Sequence, residues 1–233
     1  MRNTPTLATL GLGLGLGLGL FSAGAVQAQS HTVYFGGMHI DVKSKAPALQ
    51  GGSALPPPGA MIDVGDADTI GFGYVYRLNP TWSIEAAVGL PPKHKVYGRG
   101  FIEPFGQILS VKQVAPTAFV NYHFDSLFGG KLVPFVGAGI NFTRFTDIRS
   151  TPSGNAASGG PTTTTLKDSV GLAVHAGVTV PLGGRWFFVA TVAHADVQTD
   201  STATTRTNSG DIVRTTHITF RPTAGTMSLG YSF

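Results

Sequence analysis

Of the 233 residues only 12% are charged, against a net charge of +4, while 42% are hydrophobic, 32 are glycine and none is cysteine. An ordinary soluble domain is about a quarter charged. This composition excludes a coiled coil, a disulfide-stapled miniprotein, a thiolate metal site and a charge-rich disordered chain. The few cations are spread along the chain, which excludes the clustered basic surface that nucleic acid requires.

The first element is a leader. Arg2 precedes an apolar stretch from Leu7 to Val26 with a Gly-Leu alternation, and Val26-Gln27-Ala28 places small residues at the −3 and −1 positions of a cleavage site. That layout predicts a secretory signal peptide over 1–28 and a mature domain over 29–233. A transmembrane anchor is the alternative. The glycine content and the polar residues Gln27, Gln29 and Ser30 argue against it.

Eight segments with a period of two follow. They are Val33–Val42, Thr69–Arg77, Trp82–Leu90, Val114–Phe124, Leu132–Thr143, Ser169–Val180, Trp186–Val197 and Ile218–Phe233. In the first, Tyr34, Met38, Ile40 and Val42 form the apolar face opposite His39 and Asp41. In the second, Ile70, Phe72, Tyr74 and Tyr76 oppose Gly71, Gly73, Val75 and Arg77. In the third, Trp82, Ile84, Ala86 and Val88 oppose Ser83, Glu85 and Ala87. The fourth to sixth continue the pattern, with Thr117, Phe119, Asn121, Phe135, Gly137, Asn141 and His175 opposite apolar runs. The facing of the seventh is left open by its sequence.

The connections alternate long, short, long, short, long, short, long. The short ones, such as Leu78-Asn79-Pro80-Thr81, are rich in turn formers. Even strand number, strands of about ten residues and alternating loop lengths predict an all-β, eight-stranded antiparallel up-and-down transmembrane β-barrel. Its turns are expected at the periplasm and its long loops outside. Too few charges exist to coat a soluble barrel, so the apolar faces are assigned to lipid and the small and polar ones to the lumen. Tyr76, Trp82, Tyr122, Phe124 and Trp186 sit near the short turns, where an aromatic girdle belongs.

Specific strings carry a resemblance. They are Gly89-Leu90-Pro91-Pro92-Lys93-His94-Lys95-Val96-Tyr97-Gly98, Ala115-Pro116-Thr117-Ala118-Phe119-Val120-Asn121-Tyr122-His123-Phe124, Val133 to Phe145, and the terminal Gly230-Tyr231-Ser232-Phe233. In order and spacing the chain resembles the OmpW family of outer-membrane proteins, which includes the AlkL-type alkane importers. Pro92 departs from the family pattern, which has an aromatic there. The resemblance implies a bacterial outer-membrane barrel, not an enzyme, that passes small hydrophobic molecules through an apolar lumen and out sideways into the membrane. A structural or receptor barrel with a sealed lumen, serving phage, colicin, host contact or stress response, is the alternative. Implied partners are outer-membrane lipid and lipopolysaccharide, small hydrophobic solutes, and the barrel-assembly machinery through Phe233.

An eight-stranded barrel is just wide enough for side chains. Val33, Phe35, Val75, Phe119, Phe135 and Phe145 are expected inside it, among glycines and alanines. They either leave apolar voids for a ligand or plug the barrel. Pro116 lacks an amide hydrogen and cannot complete a ladder, so it is the candidate for a lateral opening between the third and fourth segments. Arg77, Glu85 and His175 are expected to form a polar cluster in the lumen, since a lone charge there needs a partner. His39 and His123 are expected to face the lumen as well. No histidine spacing suggests a metal, no cofactor is expected, and Ser83 and Ser169 match a hydrolase only by residue type. The run Asp63–Asp68 lacks the glutamate a calcium loop needs at position twelve, where Tyr74 stands. Thr151 to Thr165 is expected to be a flexible outer loop.

Overall fold

A computed structural model of the chain describes residues 30–52, 59–125 and 127–233. The expected signal peptide lies outside the described residues. Fourteen strands follow in chain order: β1 (His31–Val42), β2 (Ala60–Val64), β3 (Ala67–Arg77), β4 (Trp82–Gly89), β5 (Lys93–Gly100), β6 (Gln107–Val114), β7 (Thr117–His123) and β8 (Val133–Ser150). They continue with β9 (Thr162–Leu166), β10 (Ser169–Gly183), β11 (Trp186–Ala195), β12 (Val197–Thr207), β13 (Gly210–Phe220) and β14 (Pro222–Ser232).

Eight of them close a barrel in the order β1-β3-β4-β7-β8-β10-β11-β14, every pair antiparallel, with β14 returning to β1. Every wall strand pairs with two neighbours and the sheet has no free edge strand, which is the condition for strands to span a bilayer. Phe35, Phe72, Ile84, Val120, Ile140, Leu172, Val192 and Met227, one from each barrel strand, lie exposed on the outer wall. Leu172 is 75% exposed. Side chains of this kind are stable outside only where hydrocarbon replaces water.

At the short-turn rim, Asn79 Oδ1 accepts from the amides of Thr81 and Trp82 at 2.9 and 2.8 Å and folds the β3–β4 turn. Gly183 and Gly184, with φ of 114° and 59°, make the β10–β11 turn in a conformation that side chains disfavour. Trp82 packs edge-on against Tyr122 at 5.1 Å and Trp186 against Tyr231 at 5.0 Å. The aromatic girdle stands at this rim.

The long connections are not loops. β8 runs beyond the barrel and pairs with β6, which pairs with β5, which pairs with β2. β9, β12 and β13 make a second sheet. A single apolar cluster joins Val64, Val96, Val111 and Phe145 of the first sheet to Val197, Ile218 and Phe220 of the second, and to Ile40 and Val42 at the top of β1. The two sheets thus form a hood with its own core over one barrel rim. The expected flexible stretch Thr151–Thr165 holds a short helix, α1 (Pro152–Ser158), and most of β9. Thr151 caps the helix by accepting from the Gly154 amide at 3.0 Å. The eighth segment, expected as one strand from Ile218, is two: β13 ends at Phe220 in the hood and β14 begins at Pro222 in the wall. Likewise Val114 belongs to β6, and the barrel strand begins at Thr117.

The expected facing holds for β3, β4, β7, β8 and β10 and is inverted for β1. Tyr34, Gly36, Met38, Ile40 and Val42 point inward, while Val33 and Phe35 are 43% and 55% exposed on the lipid side. The odd and even faces of β1 are both apolar near its start, so alternation alone carries no sense of direction there. His39 also lies outside, paired with Asp68 at 2.7 Å. β11, left open by its sequence, turns Phe187, Val189 and Thr191 inward.

Candidate functional site

The lumen is divided in two. Below, at the short-turn rim, a cavity of about 660 Å3 is lined by Thr32, Tyr34, Val75, Arg77, Glu85, His123, Asp125, Phe135 and Thr191 among others. Above, under the hood, an apolar cavity of about 120 Å3 is lined by Met38, Ile40, Ala87, Val88, Pro92, Phe119, Ala173, Ala193 and Val197 among others. Val75 and Phe135 therefore line the lower chamber and Phe119 the upper. Phe145 points inward but above both, stacked on Phe220 at 5.5 Å inside the hood core. Phe35, expected in the lumen, lines neither and lies on the lipid side of β1.

A polar plug separates the chambers. Tyr34 of β1 donates its hydroxyl to Glu85 Oε1 of β4. Asn121 Nδ2 of β7 donates to Glu85 Oε2 at 2.6 Å. His175 Nε2 of β10 donates to Asn121 Oδ1 at 2.7 Å. The imidazole of His175 stacks on Phe119 at 3.8 Å and meets Phe135 edge-on at 5.4 Å. Glu85 is only 6% exposed. A buried carboxylate is tolerated when hydrogen bonds replace its water, and these two donors do that. A Cβ at Gly73 would strike the Tyr34 ring, and one at Gly137 would strike Asn121 Oδ1 and His175 Nε2. These two glycines are the space the plug occupies.

Of the expected cluster, Glu85 and His175 come together through Asn121, and Arg77 does not join them. Arg77 turns to the short-turn rim, donating to the Pro80 carbonyl at 2.6 Å and pairing with Asp125 at 3.1 Å. Ser83 Oγ and His123 Nε2 form a second buried contact at 2.8 Å. Tyr34 escapes the sequence pattern because both faces of β1 are apolar near its start. Asn121 is legible as an inward polar residue between the outward Val120 and Tyr122, and only the register shows that it bridges.

The wall beside the upper chamber is interrupted. The β4–β7 ladder runs from Trp82↔Tyr122 to Ala87↔Thr117 and stops. Above that, Val88, Gly89 and Leu90 pair only with β3, Leu90 N donating to Ile70 O at 2.8 Å. Pro116 turns its carbonyl to β8, accepting from Phe142 N at 3.0 Å. Pairing resumes with Gln113 N donating to Pro92 O at 3.2 Å, and with Lys93↔Lys112 in β5 and β6. The stretch between holds Pro91, Pro92 and Pro116, three residues without an amide hydrogen, so its ladder cannot be completed. Val88 and Pro92 on one side of this window and Gln113 and Ala115 on the other line the upper chamber.

Among the described residues no group of three or more histidines and carboxylates is placed to hold a metal ion.

The chain matches the model of the OmpW family over residues 30–233. It is 32% identical over 162 residues to outer membrane protein W of Vibrio cholerae, covering 69% of this chain and 70% of that protein. It is 37% identical over 93 residues to the dibenzothiophene metabolism operon protein PahQ of Pseudomonas aeruginosa, covering 40% of this chain and 42% of that one. The crystal structure of outer membrane protein OprG from Pseudomonas aeruginosa superposes with a TM-score of 0.79 over 88% of this chain and 96% of that chain, at 21% identity. The closed barrel, its lipid-facing wall and these matches together place the chain in the bacterial outer membrane, as a member of the OmpW family.

Proposed function

We propose that this barrel passes small hydrophobic molecules from the cell surface into the outer membrane. The solute enters through the hood, occupies the upper chamber and leaves sideways through the window between β4 and β7. The observation that carries this reading is the coincidence of window and chamber. The apolar cavity is lined by both edges of the one stretch where the β4–β7 ladder is interrupted. The plug supports it from below. A hydrocarbon gains roughly 25 cal/mol per Å2 buried against Met38, Ile40, Ala173 and Val197, and loses that gain on meeting Glu85 and Asn121. The lateral step is therefore downhill and the periplasmic step is not. The name of PahQ, which ties that relative to a dibenzothiophene metabolism operon, points to aromatic hydrocarbons as a solute class.

The test is uptake of a hydrocarbon by cells or liposomes carrying the intact protein. Ala173→Phe fills the upper chamber and is expected to cut uptake about tenfold, with folding checked by heat-modifiable gel mobility. Pro116→Ala restores one donor at the window and is expected to slow exit severalfold. Uptake unchanged in both variants overturns the channel reading in favour of a sealed barrel.

A further inference from the structure

Six cations that are scattered in sequence meet on one outward face. Lys93, Lys95 and Arg99 alternate outward along β5, while His94 and Val96 turn into the hood core. Lys112 of β6 stands directly opposite Lys93 in the register, and Arg144 and Arg149 lie on the adjoining β8. Two carboxylates share this face. Asp63 takes Arg99 at 2.8 Å, and Asp147 takes Lys112 at 3.3 Å and Arg149 at 2.5 Å. Among the described residues Lys93, Lys95 and Arg144 have no ion-pair partner. Asp147 offsets Lys112, and Lys93 directly across the ladder from it, with Lys95 and Arg144, remains as uncompensated charge on this face.

The height of the face is set by its neighbours. Arg144 is the next outward position after Ile140 and Phe142, both lipid-facing on β8. Lys93 opens β5 three residues beyond the exposed Leu90, across the Pro91–Pro92 step. The lowest cations therefore stand at the hydrocarbon boundary of the cell-surface leaflet. Arg144 and Arg149 pair with Val114 and Ser110, four residues apart on β6, so the ladder rises about 13 Å between them. Acidic residues stand elsewhere, Asp41 and Asp68 on β1 and β3, and Asp196 and Asp200 just before and within β12.

We propose that this face binds lipopolysaccharide, with Lys93, Lys112 and Arg144 on the phosphates nearest the acyl chains and Lys95, Arg149 and Arg99 on anionic groups of the inner sugars. Charge complementarity carries the assignment. A tall ladder of cations fits a glycolipid that bears anions at several heights, whereas a phospholipid offers one layer. Arginine and lysine at such a boundary bind phosphate through charge-assisted hydrogen bonds. The inference requires only the outer-membrane location and is independent of the uptake reading.

The test titrates the full chain in neutral detergent micelles with purified lipopolysaccharide, with binding read by native mass spectrometry. Lys93→Gln/Lys112→Gln/Arg144→Gln is expected to weaken binding at least about tenfold. Lys167→Gln/Arg206→Gln/Arg221→Gln, which removes the same charge elsewhere on the hood, is expected to leave binding within about twofold. With the unaltered protein, enzymatically dephosphorylated lipopolysaccharide is expected to bind severalfold more weakly, and phosphatidylglycerol to compete poorly. Equal weakening by the two triple variants overturns the site. Equal binding of the dephosphorylated glycolipid, or of phosphatidylglycerol, overturns the assigned ligand. The last two comparisons use the unaltered chain, so they decide even where a variant does not fold.

Discussion

Glu85 is a carboxylate in the middle of a membrane-spanning barrel, and its two donors, Tyr34 and Asn121, are what make that tolerable. Glu85→Ala leaves both donors buried without an acceptor. It is expected to cost about 3 kcal/mol in equilibrium urea unfolding, against about 1 kcal/mol for Glu85→Gln, which keeps the Tyr34 bond. The plug also has a mechanical consequence at Gly137. Gly137→Val drives a side chain into Asn121 and His175, and is expected to raise single-channel ion conductance in planar bilayers by displacing them. Unchanged conductance would mean that another layer of side chains seals the lumen. At this scale the sequence was partly legible. Glu85, Phe119, Asn121 and His175 alternate against bulky apolar neighbours, so their inward facing could be read. Tyr34 and Phe35 could not be told apart, because each lies on an apolar face of β1 and the difference is only which one meets the plug.

The elements show a division of labour along single strands. The lower part of β8 presents Val136, Ile140 and Phe142 to lipid, and its upper part presents Arg144 and Arg149 outward while Phe145 enters the hood core. The hydropathy pattern ends where the lipid ends, so the sequence located the spanning segments and lost the strands above them. A buried histidine gives the hood a pH dependence of its own. His94 is 2% exposed, its Nδ1 donates to the Gly65 carbonyl at 2.9 Å, and its Nε2 is buried without a partner. Burial holds its pKa below the ordinary value of 6.5. The folded hood therefore keeps His94 neutral while the unfolded chain takes up a proton as pH falls through 6.5. Stability from this residue is complete above that pH and declines below it, by no more than about 1.4 kcal/mol per pH unit. Limited proteolysis of the hood is expected to quicken from pH 7.5 to pH 5, and His94→Asn, which does not titrate, is expected to flatten that dependence. A quickening of the same size in the variant would place the acid-sensitive group elsewhere.

For the molecule as a whole, closure was readable and its surface was not. Eight alternating segments joined by alternately long and short gaps permit few arrangements other than an up-and-down barrel. The cationic face could not be anticipated, since Lys93 and Arg144 become neighbours only through the register of β5 on β6 and β6 on β8. The seam of the barrel is the pairing of β1 with β14, eleven residue pairs from Thr32↔Ser232 to Val42↔Pro222. At its base Phe233 N donates to His31 O at 2.8 Å, so positions 31 and 233 are side by side. A short linker between them, with new ends opened at the exposed Asn79–Pro80 turn, is expected to give a circular permutant that refolds in detergent with the heat-modifiable mobility of the parent. The seam also sets an order in time. Its two strands lie at opposite ends of the described residues, so of all the pairings in the wall this one closes the longest loop. Closure is thus the slowest contact in loop-entropy terms and the last to form, and until then the sheet keeps two raw edges that any other incomplete barrel could join.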